Sequence, residues 1–325
     1  MFIEKKKIGK GTYNYLRISA RVRGTVKTKT VAYLGKGNMG KKELATAVSR
    51  VPKQVIDEAK NSLKESVEDL NAEFLSSAQL KKLDSVKRDF ARKLKTQDKH
   101  LLADMFRDFK TYYIYNTNSI EGNTLTLEET GMLLNENRTP AGKDLREVYD
   151  HINEREAFDW LLERRPEIEL KSIIWIHSML LKGIDLRVGG FRKHNVRVMG
   201  ADFNTTPAEY VYTDMNLLMR WYRRNERKLH PLVLAALFHE KFERIHPFYD
   251  GNGRTGRMLL NLILLRSGFP PLIVENKTRK EYYSVLSSGH KADLTKSQPE
   301  HYEPIVDFCY KRLLDTYETI FSKWG

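Results

Sequence analysis

His246-Pro247-Phe248-Tyr249-Asp250-Gly251-Asn252-Gly253-Arg254-Thr255-Gly256-Arg257 decides how this chain is read. Upstream, Leu232 to Ile245 has helical spacing, and Pro247 ends or follows that helix. Downstream, Met258, Leu259, Leu262 and Ile263 recur at three- and four-residue steps, so a second helix starts at Arg254. Gly251 and Gly253 flank Asn252 in the loop between them. A Gly-x-Gly turn at a helix N-terminus points backbone N–H groups outward, and the helix dipole adds positive potential, a combination that binds phosphate. Arg254 and Arg257 lie three apart and share one face of the first turn, within reach of the same phosphate oxygens. Asp250 stands beside this nest, where a carboxylate next to a polyphosphate suits Mg²⁺. His246, with an ordinary pKa near ~6.5, can accept a proton. Taken together, these residues suit a hydroxyl that loses its proton to His246 while attacking a phosphorus held at the nest. Zinc chemistry does not fit: His239-Glu240 and His246 do not form His-Glu-x-x-His, and Cys309 has no cysteine partner.

Around this run the chain has 325 residues, 41% hydrophobic and 30% charged, which is enough for a large core and up to two domains. The single cysteine cannot form an internal disulfide, and Met1-Phe2-Ile3-Glu4-Lys5-Lys6-Lys7 lacks the apolar stretch of a signal peptide. No apolar run is long enough to span a bilayer. The chain is read as cytoplasmic, without membrane contact. Its net charge of +14 is uneven: residues 1–42 hold twelve Lys and Arg against Glu4 alone, so +11 of it belongs to that segment.

Within that basic segment, residues 12–34 alternate like a strand, Tyr13, Tyr15, Arg17 and Ser19 against Asn14, Leu16, Ile18 and Ala20. A turn near Arg23-Gly24 and the run Thr25 to Leu34 predict a hairpin. Tyrosines interleaved with Lys and Arg suit stacking on bases, which makes nucleic acid a candidate partner through residues 1–42; a solvated accessory hairpin is the alternative. From Lys41 the pattern is helical, over 42–65, 76–96, 99–120, 126–136, 144–164, 170–182, 208–226, 230–244, 253–267, 279–290 and 301–323. Gly122 closes the helix that ends at Ser119-Ile120-Glu121. Val196 and Val198 alternate with Asn195 and Arg197, then Gly200-Ala201-Asp202 turns, so a short hairpin interrupts the helices; such an edge can pair with an extended peptide. The predicted organisation is a basic β-hairpin unit over 1–40, a helical region over 41–98 and a catalytic domain over 99–325.

The motif at 246–257 resembles the signature of the Fic family, His-x-Phe-x-(Asp/Glu)-Gly-Asn-Gly-Arg-x-x-Arg, at every defining position. The resemblance spans roughly Phe109 to Lys291. It implies a mainly α fold, a Fic-type helical core with a β-hairpin flap, and a Mg²⁺-dependent adenylyltransferase that moves AMP from ATP to a Ser, Thr or Tyr hydroxyl of a protein, including itself. Carried onto this chain, it implies His246 as the base and Asp250 as the Mg²⁺ ligand. Gly251, Asn252 and Gly253 become the anion hole, Arg254 and Arg257 the phosphate partners, and Phe248 the loop's anchor. Val196, Arg197, Val198 and Met199 correspond to the flap that binds the target backbone. Tyr283 and His290 lie where members of the family contact adenine, although the second position is commonly Asn. Thr117-Asn118-Ser119-Ile120-Glu121-Gly122 is similar to the family's inhibitory pattern, in the class whose inhibitory helix, here about 104–121, precedes the core. In that class the glutamate, here Glu121, pairs with the second arginine of the motif, here Arg257. Some members with this glutamate also remove AMP. Phosphate or phosphocholine transfer is disfavoured because Gly-Asn-Gly-Arg is intact. The target and the oligomeric state, a homodimer included, stay open, and a nucleic-acid-binding regulator remains the alternative reading.

Overall fold

Asn14, Leu16 and Ile18 are buried while Tyr15 and Arg17 between them are not, the alternation of a strand with one covered face. They lie on β2 (Gly11–Val22), which pairs antiparallel with β1 (Phe2–Ile8) on one side and β3 (Thr25–Lys36) on the other. The expected hairpin is thus part of a three-stranded sheet. The additional strand escapes sequence pattern because its lysines show no buried face; as an edge strand it keeps them in water. Residues 1–9, 11–22, 25–196 and 205–324 are described by the computed structural model; the anticipated turn at Arg23-Gly24 lies outside them. Beyond the sheet, the helix expected over 42–65 is two helices, α1 (Lys41–Ser49) and α2 (Lys53–Ala72). Pro52 separates them: its fixed φ of -59° suits an N-cap, while inside a helix its ring would clash with the preceding turn. Ile18 packs on Ala59 of α2 with Val31 alongside.

Contacts divide the chain into two units, Met1–Glu73 with Arg227–Leu229, and Phe74–Glu226 with His230–Gly325. The second is helical. It runs through α3 (Ser77–Thr96), α4 (Lys99–Ile120), α5 (Leu127–Asn135), α6 (Leu145–Arg164), α7 (Leu170–Leu180), α8 (Val211–Asn225), α9 (Pro231–Ile245), α10 (Asn252–Arg266), α11 (Arg279–Gly289) and α12 (Pro299–Thr319). Local chemistry sets several starts. Asp98 accepts the N–H groups of His100 and Leu101 at 2.8 and 3.0 Å, and Thr126 with Glu129 forms a reciprocal capping box. Pro231 occupies the first position of α9, where no N–H is needed.

Both α9 and α10 are buried on nearly every side, with Glu240, Lys241, Arg254 and Arg257 enclosed among their apolar residues. They pack on each other, with α8 and α12 against α9, and α4, α6 and α7 against α10. They approach closely at Gly256, where a Cβ would come within 2.3 Å of a Glu243 carboxyl oxygen. No described helix is long and apolar enough to cross a membrane.

Candidate active site

The connection between α9 and α10 is held shut from inside. His246 ends α9 in the left-handed region, φ 53° and ψ 61°, a conformation that costs a non-glycine residue about 1 kcal/mol or more. Pro247 then forbids another turn. Asn252 closes the loop: its Oδ1 accepts the Phe248 N–H at 2.9 Å and its Nδ2 donates to the Phe248 carbonyl at 3.0 Å. Phe248 is buried with its ring stacked on His177, centroids 3.6 Å apart, while the His177 Nε2–H donates to the Asp250 carbonyl at 3.0 Å. Gly251 takes φ 74°, and a side chain there would strike Leu181 at 2.4 Å. The helix begins two residues earlier than the Arg254 start its pattern predicts, at Asn252, because Gly251 itself serves as the N-cap. The N–H groups of Asn252, Gly253 and Arg254 therefore belong to the first turn, where the helix ladder supplies no acceptor.

His246 is set up as a base. Its Nδ1 lies 3.3 Å from the Glu243 carbonyl, which can only accept, so Nδ1 carries the proton and Nε2 is left with its lone pair. Burial is the main cause that drives its pKa down to about 4, keeping the ring neutral at pH 7. Arg192, buried and unforeseen, fixes the backbone here. Its N–H donates to the Pro247 carbonyl at 2.9 Å, its Nε donates to the His246 carbonyl at 2.8 Å and its Nη1 to His194 O at 3.1 Å. Nη2 of the same guanidinium donates to Thr206 O, so it ties the segments that enter and leave 197–204 to the end of α9. Of the predicted flap, Val196 is described, its carbonyl accepting the Thr205 hydroxyl at 3.3 Å; Arg197, Val198 and Met199 lie outside the described residues.

Asp250 stands at the mouth of the loop, its side chain 40% exposed. Its Oδ1 accepts the Gly251 N–H at 2.6 Å and its Oδ2 pairs with Arg146. Burial pushes its pKa up, but Arg254, the Gly251 N–H and Arg146 outweigh that and hold it below the usual carboxylate range. An ionised, half-open oxygen donor beside orphan N–H groups fits a hard cation that takes its other ligands from phosphate and water. Among the described residues no three His, Cys, Asp or Glu gather as a metal-ligand set. One carboxylate is compatible with Mg²⁺ that takes its remaining ligands from substrate phosphates and water.

The two arginines part company. Arg254 turns into the core, where Nη1 pairs with Asp150 of α6, and Glu154 one turn on is fully buried facing the Tyr113 hydroxyl. Burial raises the Glu154 pKa to about 7. Arg257 turns toward the end of α4. Its Nε donates to Thr117 Oγ1 at 2.7 Å, its Nη2 to Thr117 O at 3.1 Å and to Glu121 Oε1 at 2.6 Å. The aromatic face nearest it is Tyr282, 5.9 Å from the guanidinium to the ring centroid; Tyr283 is 40% exposed beside Arg279. His290 Nε2 lies 3.9 Å from the buried Glu240.

The backbone around Glu121 is fixed by a Schellman closure. Gly122 sits at φ 97° with its N–H on Ser119 O at 3.1 Å, and the Asn123 N–H reaches Asn118 O at 3.1 Å. That closure delivers the carboxylate onto α10: a Cβ at Gly253 would lie 2.3 Å from Glu121 Oε1 and 2.9 Å from Arg257. Glu121 thus brings the negative charge that a helix N-terminus attracts to the first turn of α10.

Sequence reading brought His246, Asp250, Gly251–Gly253, Arg254, Arg257 and Glu121 together; it missed Asp150, Glu154, His177 and Arg192. Asp150, Asn153 and Glu154 fall on the same buried stripe of α6 as Val148, Ala157, Phe158 and Leu161, so polar residues at apolar spacing were the available signal.

Helices around a left-handed histidine, a closed glycine loop and a helix N-terminus with two buried arginines define a Fic-type core. Residues 167–264 match the family model described as Fic/DOC family. Protein adenylyltransferase fic-1 of Caenorhabditis briggsae is 35% identical over 222 residues, which cover 66% of this chain and 43% of that protein. Protein adenylyltransferase Fic of Nematostella vectensis is 34% identical over 214 residues, 63% of this chain and 48% of that one. This chain spans less than half the length of these curated relatives. Among solved structures, a Fic-domain signalling protein from Bacteroides thetaiotaomicron has a TM-score of 0.68 at 24% identity, covering 75% of this chain and 97% of that one. Fic-1 of C. elegans has a TM-score of 0.64 at 28% identity, covering 87% and 78%. The chain contains a Fic domain.

Proposed function

We propose that this protein is an autoinhibited adenylyltransferase that moves AMP from ATP to a hydroxyl of a protein. The observation that carries the reading is the Glu121–Arg257 contact of 2.6 Å laid over the first turn of α10. It puts a removable carboxylate on a buried cation, at the helix N-terminus where a nucleotide's phosphates would bind. The relatives named protein adenylyltransferase support the choice of AMP as the transferred group.

In this reading His246 Nε2 takes the proton of the acceptor hydroxyl as its oxygen attacks the α-phosphorus. The new O–P bond forms opposite the bond to the β-phosphate, which breaks and releases pyrophosphate. The first-turn N–H groups of α10 hold the phosphate oxygens through that inversion, in positions already fixed by Asn252. Asp250 would hold Mg²⁺, which neutralises charge on the leaving pyrophosphate; to do so its Oδ2 would give up Arg146. While Glu121 sits on Arg257, the terminal phosphate lacks its partner and the α-phosphorus is not aligned for in-line attack. Backbone pairing along 196–199 would present the target's hydroxyl, which makes the choice of target largely blind to side chains. Automodification and removal of AMP by the same site fit this arrangement. The lone, buried Cys309 suits a reducing compartment such as the cytoplasm.

The test is incubation with ATP labelled at the α-phosphate. Glu121→Gly raises label transfer about 10- to 100-fold, and His246→Ala in that background lowers it by roughly 10²–10⁴-fold. Equal labelling of wild type and Glu121→Gly removes the inhibitory role; label that persists in the double variant removes His246 as the base. A pre-labelled target incubated with wild type and with Glu121→Gly separates AMP removal from addition.

A further inference from the structure

The N-terminal sheet turns a second chemistry outward. Strand register places Lys6 of β1, Tyr13, Tyr15 and Arg17 of β2, and Tyr33 and Lys36 of β3 on one face, while Asn14, Leu16 and Ile18 are buried on the other. The three tyrosines form a continuous aromatic patch. The Tyr15 and Tyr33 ring centroids are 5.4 Å apart and those of Tyr13 and Tyr33 6.4 Å, too close for a base to slip between them. Tyr33 is 53% exposed. Cations frame the patch. Lys36 Nζ lies 5.7 Å from the Tyr13 ring centroid, and Arg17 reaches across the strands to Thr28 at 2.9 Å. Glu4, the lone acid among residues 1–42, pairs with Arg17 at 2.8 Å and with Lys6 at 3.7 Å, so the face keeps an excess of positive charge.

Aromatic faces and cations on one open sheet match one class of polymer. In a single-stranded nucleic acid the exposed base lies on a ring while its phosphate meets a lysine or arginine. A duplex hides its base faces in its own stack and presents only edges and phosphates. An acidic polypeptide would find the cations, but its carboxylates would meet the electron-rich faces of the rings. We propose that the outer face of the β1–β3 sheet binds single-stranded nucleic acid, bases on Tyr13, Tyr15 and Tyr33 and phosphates on Lys6 and Lys36, with Arg17 held between Glu4 and Thr28. This binding activity belongs to the first unit and does not depend on the AMP-transfer reading.

The full chain is titrated by fluorescence anisotropy against labelled ~12-nucleotide single strands of RNA and of DNA, the matching duplex, and polyglutamate, at about 50 and about 200 mM salt. The single strand is expected to bind roughly 10-fold tighter than the duplex or polyglutamate and to weaken as salt rises. Tyr33→Ala weakens it about 10-fold, whereas Tyr33→Phe, which keeps the ring, binds like wild type. An unchanged melting temperature in Tyr33→Ala assigns that loss to stacking; should that variant unfold, the preference of the wild type for single strand over duplex still decides. No single-strand binding at the lower salt, equal duplex binding, tighter polyglutamate binding, or a folded Tyr33→Ala that binds unchanged overturns the proposal.

Discussion

Arg254 and Arg257 sit three residues apart on α10, both buried, each with one paired acid and one buried carboxyl nearby, yet they are built for different ends. The first has Asp150, whose side chain is 12% exposed, and Glu154. The second has Glu121, 37% exposed at a helix end, and Glu243. Asp150 lies in the second turn of α6, within the helix's buried stripe, where its carboxylate is largely shut off from water. Glu121 comes from the C-cap of α4 and can swing into water by side-chain rotation alone. In the proposed reading, burial of the partner, rather than the strength of the contact, separates an anchor from a switch.

Breaking the anchor produces the largest effect. Asp150→Ala leaves the Arg254 guanidinium buried without its paired acid, and breaking such a pair costs about 3–5 kcal/mol. The expected outcome is a large fall in denaturation midpoint, with AMP transfer lost both with and without Glu121→Gly. A midpoint within experimental error of wild type would mean that Asp150 is no anchor. Glu121→Gln gives the smaller response. The pair's carboxylate is more than a third exposed, so stability changes by about 1 kcal/mol or less, while transfer rises. A fall in stability as large as that of Asp150→Ala would erase the distinction.

Legibility in the sequence follows the same division. The 246–257 run could be read because its residues are local: a histidine, an aspartate, an N-cap glycine and two arginines lie within two helix ends. Glu121 was legible through a second short pattern. Asp150 lies 104 residues from Arg254 and resembles any helical acid until its neighbours are seen to be core. Arg192 depends on carbonyls at the end of α9, which no side-chain pattern records. In the fold, helices with one buried stripe were read to within a few residues. The break at Pro52 was lost inside a long periodic run, and β1 was lost because an edge strand made of lysines has no buried face to show.

The remaining contrast concerns the second carboxyl beside Arg257. Glu243 lies one turn before His246, with His239 Nδ1 3.9 Å from its Oε1. Burial is the main cause that pushes its pKa up to about 8; Arg257 opposes, and Glu121 and Glu240 add to the rise. His239 cannot supply a compensating charge, since burial drives its own pKa down to about 3. A carboxyl raised in the folded state binds a proton that the unfolded chain releases near pH ~4.5. Its contribution to stability is therefore complete below that pH and is lost as pH rises toward 8, by at most about 1.4 kcal/mol per unit. Glu243→Gln keeps the neutral form at every pH and shares all the histidine titrations of the wild type. The melting temperature of Glu243→Gln relative to wild type should thus climb steadily from about pH 5 to about pH 8. In the Glu121→Gly background the climb should be slightly shallower, because one of the two repulsions that add to the effect of burial is gone. A difference independent of pH would show that Glu243 is ionised at neutrality, giving Arg257 two fixed acids and making it as much an anchor as Arg254.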